Sequence, residues 1–339
     1  MRTYSLKVES TWQLRLRQTG VYLLVIIIML ALPAIVSDYI QSMIVKILIF
    51  AIFAMSLNLL WGYTGLTSLG HAAYFGVAGY TVGILTVVLG LHNFWLTALA
   101  GIIVAAITAA VFAFPALRMA NTPIKAYFLL VTLALGELLA SIAEKWRAVT
   151  GGDNGLAGIP LPELGFGLTL NGETFYYLVF IIFAICVFLL YRISKSPFGE
   201  ALQGIRENEL RMRSLGYHTW LYKYMAFLMG GAFAGVGGVL FSHFAGIMAP
   251  MHVGIMTSTL VLLMVIIGSS NTIYGPVLGA AIVLILEHVS SIYAPDRWPL
   301  ILGAVFVISV MFLRGGISMH LLKLWKRITR KRQQQPKPI

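Results

Sequence analysis

Charge is the scarcest property of this 339-residue chain: Asp, Glu, Lys and Arg make up 11% of it, against about a quarter in a soluble domain. That shortage excludes an ordinary water-exposed surface. Cysteine is nearly absent, and the single thiol, Cys186, lies in an apolar run, so no internal disulfide framework exists. No G-x-x-x-x-G-K-[ST] occurs, nor any Gly-Lys pair, and the usual phosphate-binding loop is missing. There is no H-E-x-x-H and no Cys/His spacing for zinc; Glu287-His288 alone makes no metal site. Few polar groups could converge within so apolar a chain, chiefly His71, Glu137 and Glu287. An enzyme is disfavoured, and no cofactor or metal is expected in this chain.

What the chain does have is 59% hydrophobic residues and a mean hydropathy of +0.87, with repeated apolar runs of the roughly 20 residues that span a bilayer as a helix. The expectation is an all-α integral membrane protein with ten crossings: 19–37, 41–61, 69–90, 94–114, 124–145, 173–193, 222–248, 252–269, 275–292 and 298–314. The Gly268-Ser269-Ser270-Asn271 and Gly275-Pro276 stretches divide the eighth from the ninth. With an N-terminus inside, twenty of the 24 Lys and Arg fall on the inside, leaving Lys46, Lys145, Arg147 and Arg297. Basic residues concentrate in cytoplasmic segments, so both termini are expected in the cytoplasm. This accounts for the net charge of +12 without nucleic acid. The ALPA at 31–34 is a poor cleavage site, and the first crossing is read as retained.

The resulting organisation is a cytoplasmic segment 1–18, a membrane domain 19–314 and a basic tail 315–339 suited to a membrane surface. Within the domain lie a Gly/Pro-rich outside loop, 146–172, and a polar cytoplasmic connection, 194–222.

Two constellations stand out in the apolar runs. NLLWGYTGLTSLGHAAYFGVAGYTVG, 58–83, is dense in glycine, with Gly79 and Gly83 in a small-xxx-small pair that suits close helix packing. Where apolar character lapses, Asn58, Ser68, Gly70 and His71 fit either tight packing or a broken helix lining a polar path. Glu137 lies twelve residues past Lys125, about 18 Å along a helix and so near mid-bilayer. It reads either as a path residue or as an interhelical packing bond.

The polar connection carries GEALQGIRENELRMRSLG, 199–216. Ser196 with Pro197 forms a helix start, and Glu200 sits in the first turn. Ala201, Leu202, Ile205, Met212 and Leu215 make an apolar stripe that Asn208 interrupts, which predicts two short helices. Glu200, Arg206, Glu207, Asn208, Glu209, Arg211 and Arg213 are expected to face out. Such a segment is either a solvated amphipathic loop or a docking element.

NLLWGYTGLTSLGHAAYFG, TGGDNGLAGIP and SPFGEALQGIRENELRMRSLG, in this order, resemble the signature stretches of branched-chain amino acid ABC transporter permeases of the LivM type. YGPVLGAAI and FLRGGI fit the same pattern, so the resemblance covers about residues 20–317. It implies one half of a pore paired with a second, related permease. Two cytoplasmic ATPases carrying ATP and Mg would drive it, and a periplasmic or lipid-anchored binding protein would deliver solute. Gly199, Glu200, Ala201 and Gly204, with Arg206, Glu207, Asn208 and Glu209, would form the ATPase-coupling segment, departing from the E-A-A…G spacing of some importers. Gly151, Gly152, Asp153, Asn154 and Gly155 would face the binding protein. Location in the bacterial inner membrane follows. Urea and short-chain amide importers resemble this family closely, and an ion-coupled transporter or channel is the alternative of another class.

Overall fold

The computed structural model describes residues 29–30, 32–33, 36–120, 126–164, 170–270, 272–295 and 297–312. The 1–18 segment, most of the first crossing and the 315–339 tail lie outside the described residues. The elements are helices α1 (Asp38–Thr64), α2 (Ala72–Gly83), α3 (Phe94–Ala120), α4 (Ala126–Lys145), α5 (Arg147–Thr150), α6 (Gly172–Ser194), α7 (Pro197–Glu207), α8 (Glu209–Ser214), α9 (Thr219–Ala245), α10 (Ile255–Gly268), α11 (Gly275–Tyr293) and α12 (Trp298–Phe312). A π-helical turn, Ile84–Val88, extends α2. Two-residue strands β1 (Leu156–Ala157) and β2 (Ile247–Met248) pair antiparallel, Leu156 opposite Met248.

Among the described residues, seven segments are long and apolar enough to cross a membrane: Asp38–Thr64, Phe94–Arg118, Tyr127–Lys145, Gly172–Ser194, Thr219–Ala245, Pro250–Gly268 and Gly275–Tyr293. Ala72–Val88 is apolar but shorter. The chain is therefore a multi-pass helical membrane protein. The remaining expected crossings fall short for separate reasons. The first lies mostly outside the described residues, the third loses its first turn to a buried loop, and the last is described only to Phe312.

At the centre stand α1 and α9. Nearly every residue of α1 from Leu48 to Thr64 is buried, and an aromatic cluster of Phe50, Phe53, Phe75 and Phe241 ties α1, α2 and α9 together. The outer helices turn apolar side chains outward: Leu99, Ile103, Ile107 and Val111 on α3, Ile181, Ile185 and Phe188 on α6. In water such a face would be costly; in lipid it is the expected surface.

The core is broken twice. After α1 ends at Gly65, which takes a left-handed conformation (φ 76°), residues 65–70 turn back into the bundle. As a result α2 starts beside Ser56, two turns and about 12 Å back along α1, where His71 meets Ser56. From the opposite end, the chain after α9 descends along α2. Met248 lies against Gly79, Val253 against Gly76, and Ser258 accepts a hydrogen bond from Ala72 N. α10 consequently begins at Ile255, three residues later than the sequence predicts, after a 3-10 turn at Pro250–His252. Gly76 and Gly79 thus make room for the descending strand and turn, and Gly83 for Leu156 and Ile159 beside β1, rather than for a second helix. The expectation of helix-on-helix packing holds instead on α9, where Gly231 and Gly235 face Ala109 and Ala105 of α3.

Candidate functional site

The polar connection at the Ser194 end folds as two short helices. Ser196 Oγ accepts the Gly199 N–H, Pro197 opens α7, and Asn208 Oδ1 accepts the Arg211 N–H at the start of α8. Each cap satisfies a backbone donor that a helix start leaves without a partner. Gly199, Ala201, Leu202 and Ile205 are buried against the bundle, while Glu200, Arg206, Glu207 and Asn208 are exposed. Gly204 lies against the end of Met212, whose Sδ would be 2.8 Å from a Cβ there and would have to move to admit one.

Two expectations need correction, and a third gains a contact. Leu215, placed on the apolar stripe, is 66% exposed, because α8 ends at Ser214 before the stripe can continue. Glu209, expected to face out, is half-buried and accepts from Lys223 Nζ (2.5 Å), Arg213 Nη2 (2.7 Å) and Thr219 Oγ1 (3.0 Å). Burial pushes the Glu209 carboxyl up, but the hydrogen bond and charge of Lys223, with the bonds from Arg213 and Thr219, outweigh this and hold it below the usual value. Arg206 does more than face solvent: its guanidinium donates to the Gly62 carbonyl in the last turn of α1. A cavity of about 380 Å³ opens there, lined by Gly62, Tyr63, Gln203, Arg206, Glu207 and Ser270. The anchors Thr219 and Lys223 were missed in the sequence. A lone lysine in the first turn of an otherwise apolar helix was the available signal.

Inside the bundle Ser68, Gly70 and His71 lie on or beside the 65–70 loop, whereas Asn58 lies elsewhere on α1, toward Gly62, Thr272 and Ile273. Ser56 donates its hydroxyl to Phe53 O, so the 2.8 Å contact between Ser56 and His71 is donated by His71 Nε2. Asn58 Nδ2 donates to Thr272 O. Three buried polar atoms, Asn58 Oδ1, Ser68 Oγ and His71 Nδ1, have no partner among the described residues. Gly70 touches α4 so closely that a Cβ would fall 1.9 Å from Thr132 O. Glu137 stands apart from this group. Its Oε1 accepts the Ile255 N–H at 2.7 Å and so caps α10 from α4, where the helix dipole favours a carboxylate.

At the Gly172 end, Gly151, Gly152, Asp153, Asn154 and Gly155 form a 3-10 turn, Gly152–Asn154, flanked by left-handed glycines. Thr150 Oγ1 fastens it by donating to Ala143 O and Trp146 O. Gly158 and Ile159 both donate to Gly246 O, and His243 Nδ1 donates to Pro160 O. Asp153 and Asn154 are exposed at the tip.

The described residues contain no group of His, Cys, Asp or Glu that could hold a metal ion. Comparison with known proteins gives one consistent answer. Residues 39–310 match the family model of the branched-chain amino acid transport system permease component. The chain is 28% identical over 316 residues to the high-affinity branched-chain amino acid transport system permease protein LivM of Salmonella typhimurium, covering 86% of this chain and 73% of that protein. It is 27% identical to LivM of Escherichia coli with the same coverage. It is 24% identical to LivH of Salmonella typhimurium over 282 residues, 78% of this chain and 89% of the relative. A match running through 272 of the 339 residues, on a multi-pass helical bundle, shows that the chain belongs to the branched-chain amino acid transport system permease family, as an ABC permease of the LivM type.

Proposed function

We propose that this chain is half of the pore of an ATP-driven importer of branched-chain amino acids in the bacterial inner membrane. The other half is a related permease of the LivH kind, to which the chain is also similar. Two cytoplasmic ATPases supply ATP hydrolysis, with Mg, and a periplasmic or lipid-anchored binding protein supplies solute. In this reading the bundle has ten crossings with both termini in the cytoplasm. The Ser194 end is cytoplasmic and the Gly172 end faces outward.

The observation that carries the reading is the α7–α8 pair: a capped, ordered, polar hairpin whose exposed Glu200, Glu207 and Asn208 leave a docking face free while its buried side is fixed to the bundle. Closure of the ATPases would push this hairpin. Arg206 ties it to the end of α1, directly before the loop that leads to His71. Glu209 ties it to the base of α9 through Lys223. Both central helices are thereby linked to the docking face, and the pore can pass between two states that nucleotide biases. Gly151 to Gly155 form the face for the binding protein. Asn58, Ser68, Gly70 and His71 border the path, with Glu137 holding the start of α10 against it.

The test is uptake of labelled leucine and labelled urea in cells lacking this chain, complemented with wild type or Glu200→Arg. Leucine uptake restored by wild type alone supports the reading. Restoration of urea uptake only keeps the coupling and replaces the substrate. Normal uptake by Glu200→Arg, with ATPases still copurifying, refutes the coupling assignment. Uptake by this chain without ATP would favour an ion-coupled transporter.

A further inference from the structure

At the Gly172 end, charge lies within the apolar bundle at a place that neither the docking hairpin nor the His71 region uses. Lys46 is eight residues into α1, about 12 Å from its start. Glu287 is six residues from the end of α11, about 9 Å in. The two meet at 3.3 Å, Lys46 Nζ donating to Glu287 Oε1. Their side chains are 35% and 21% exposed, so the bundle encloses the pair only in part. Phe50 lies under the ammonium, 6.0 Å to the ring centre. His252, on the descending segment, is within electrostatic reach of Lys46. Tyr39 and His288 are joined by a hydrogen bond beside it.

Ionised side chains at such depth are costly and mark function by default. A pair serving only to fasten α1 to α11 would be expected to use its hydrogen-bonding capacity. This one does not. Glu287 Oε2 is buried with no partner. Lys46 has three ammonium donors and, among the described residues, one acceptor. The vacancies are complementary: an acceptor for a cation and donors for an anion, side by side.

We infer that Lys46 and Glu287 form a site for a zwitterion, in which Glu287 Oε2 accepts from an α-ammonium and Lys46 donates to an α-carboxylate. Phe50, near the ammonium and packed on Phe241, gives the site an apolar side for the solute's own side chain. Neutral urea or a simple amide has no use for either charge. The pair therefore deepens the proposed function and rests on it: it selects α-amino acids at the outward end of the path.

The experiment uses the complete complex, with ATPases, partner permease and binding protein, in proteoliposomes. Removing one member of an ion pair in a membrane strands the other, so Lys46→Met or Glu287→Gln alone would lower assembly whatever the role. The informative variants are the double K46M/E287Q, which strands no charge, and the double K46E/E287K, which keeps the pair reversed. Both are expected to assemble and hydrolyse ATP, while leucine uptake falls about tenfold to a hundredfold, the worth of one or two charge-assisted hydrogen bonds. Wild-type leucine uptake by either assembled double variant would reduce the pair to a helix fastener and overturn the inference. Should neither assemble, a photoreactive leucine analogue is cross-linked to the unaltered complex. Adducts on α1 or α11 beside Lys46 and Glu287 support the site, and adducts confined elsewhere overturn it. A wild-type complex that moves urea and no amino acid defeats the substrate reading itself, which is a different failure.

Discussion

The two ends of the bundle order their polar chain with opposite materials. At the Ser194 end the work falls to side chains: the caps Ser196 and Asn208, the Arg206 bond to Gly62, and the Glu209 network with Lys223, Arg213 and Thr219. At the Gly172 end it falls mostly to the backbone: left-handed glycines at 151, 152, 155 and 158, the β1–β2 pair, and two donations to Gly246 O, with only Thr150 and His243 adding side-chain bonds to the loop. A side-chain scaffold builds stiff helices and leaves their outer residues free to vary. A backbone scaffold admits no Cβ where the chain is tightest. The first suits a lever with an exchangeable face, the second a platform of fixed shape.

The contrast breaks most readily at Gly155. Its φ is 72°, and a Cβ would fall 2.3 Å from Met248 O. Gly155→Val is expected to cost about 3 kcal/mol or more, from strain and clash together, seen as a fall in the amount of folded protein and in its thermal midpoint in detergent. Gly158→Ala sharpens the point. Its φ is 86° but nothing lies within 4 Å, so the cost should be the left-handed conformation alone, about 1–2 kcal/mol.

At the other end the largest effect is expected from Lys223→Met. The Lys223 side chain is 4% exposed and Glu209 26%, so the carboxylate keeps Arg213 and Thr219 and can still reach water. The loss should be about 1–2 kcal/mol, well below that of a sealed pair. Acid should act through the same group. Because the folded Glu209 titrates below its ordinary 4.5, its contribution is full above that value and is lost as pH falls through the lower folded value. Thermal midpoints of wild type should drop on that descent, and those of Lys223→Met should show a smaller acid-dependent drop. Glu200→Arg closes the series. Glu200 is exposed and stands in the first turn of α7, so stability should change by no more than about 0.5 kcal/mol, while ATP-driven uptake is lost.

How much of this was legible depended on how local its cause was. Ser196-Pro197 and Asn208 announced two helices because a cap acts within three residues. The apolar runs located the seven long helices among the described residues because each satisfies its own backbone. Partners distant in sequence could not be read. Lys46 and Glu287 are 241 positions apart, and nothing in either neighbourhood names the other. Leu215 misled because helical spacing was extended past Ser214, where the helix had already stopped. Glu137 could be placed at depth, but its role as the cap of α10 required knowing that α10 starts within the bundle. The glycines of α2 showed close approach without showing that the approaching element was extended chain.

The two interior helix starts have an electrical consequence. α2 begins at Ala72 and α10 at Ile255, close enough for Ser258 of one to accept from Ala72 of the other. Each start carries about half a positive charge, and both lie inside the helix bundle. A single carboxylate, Glu137, answers the second. The positive field left over disfavours a cation where the two starts meet and bears less on a group whose own charges cancel.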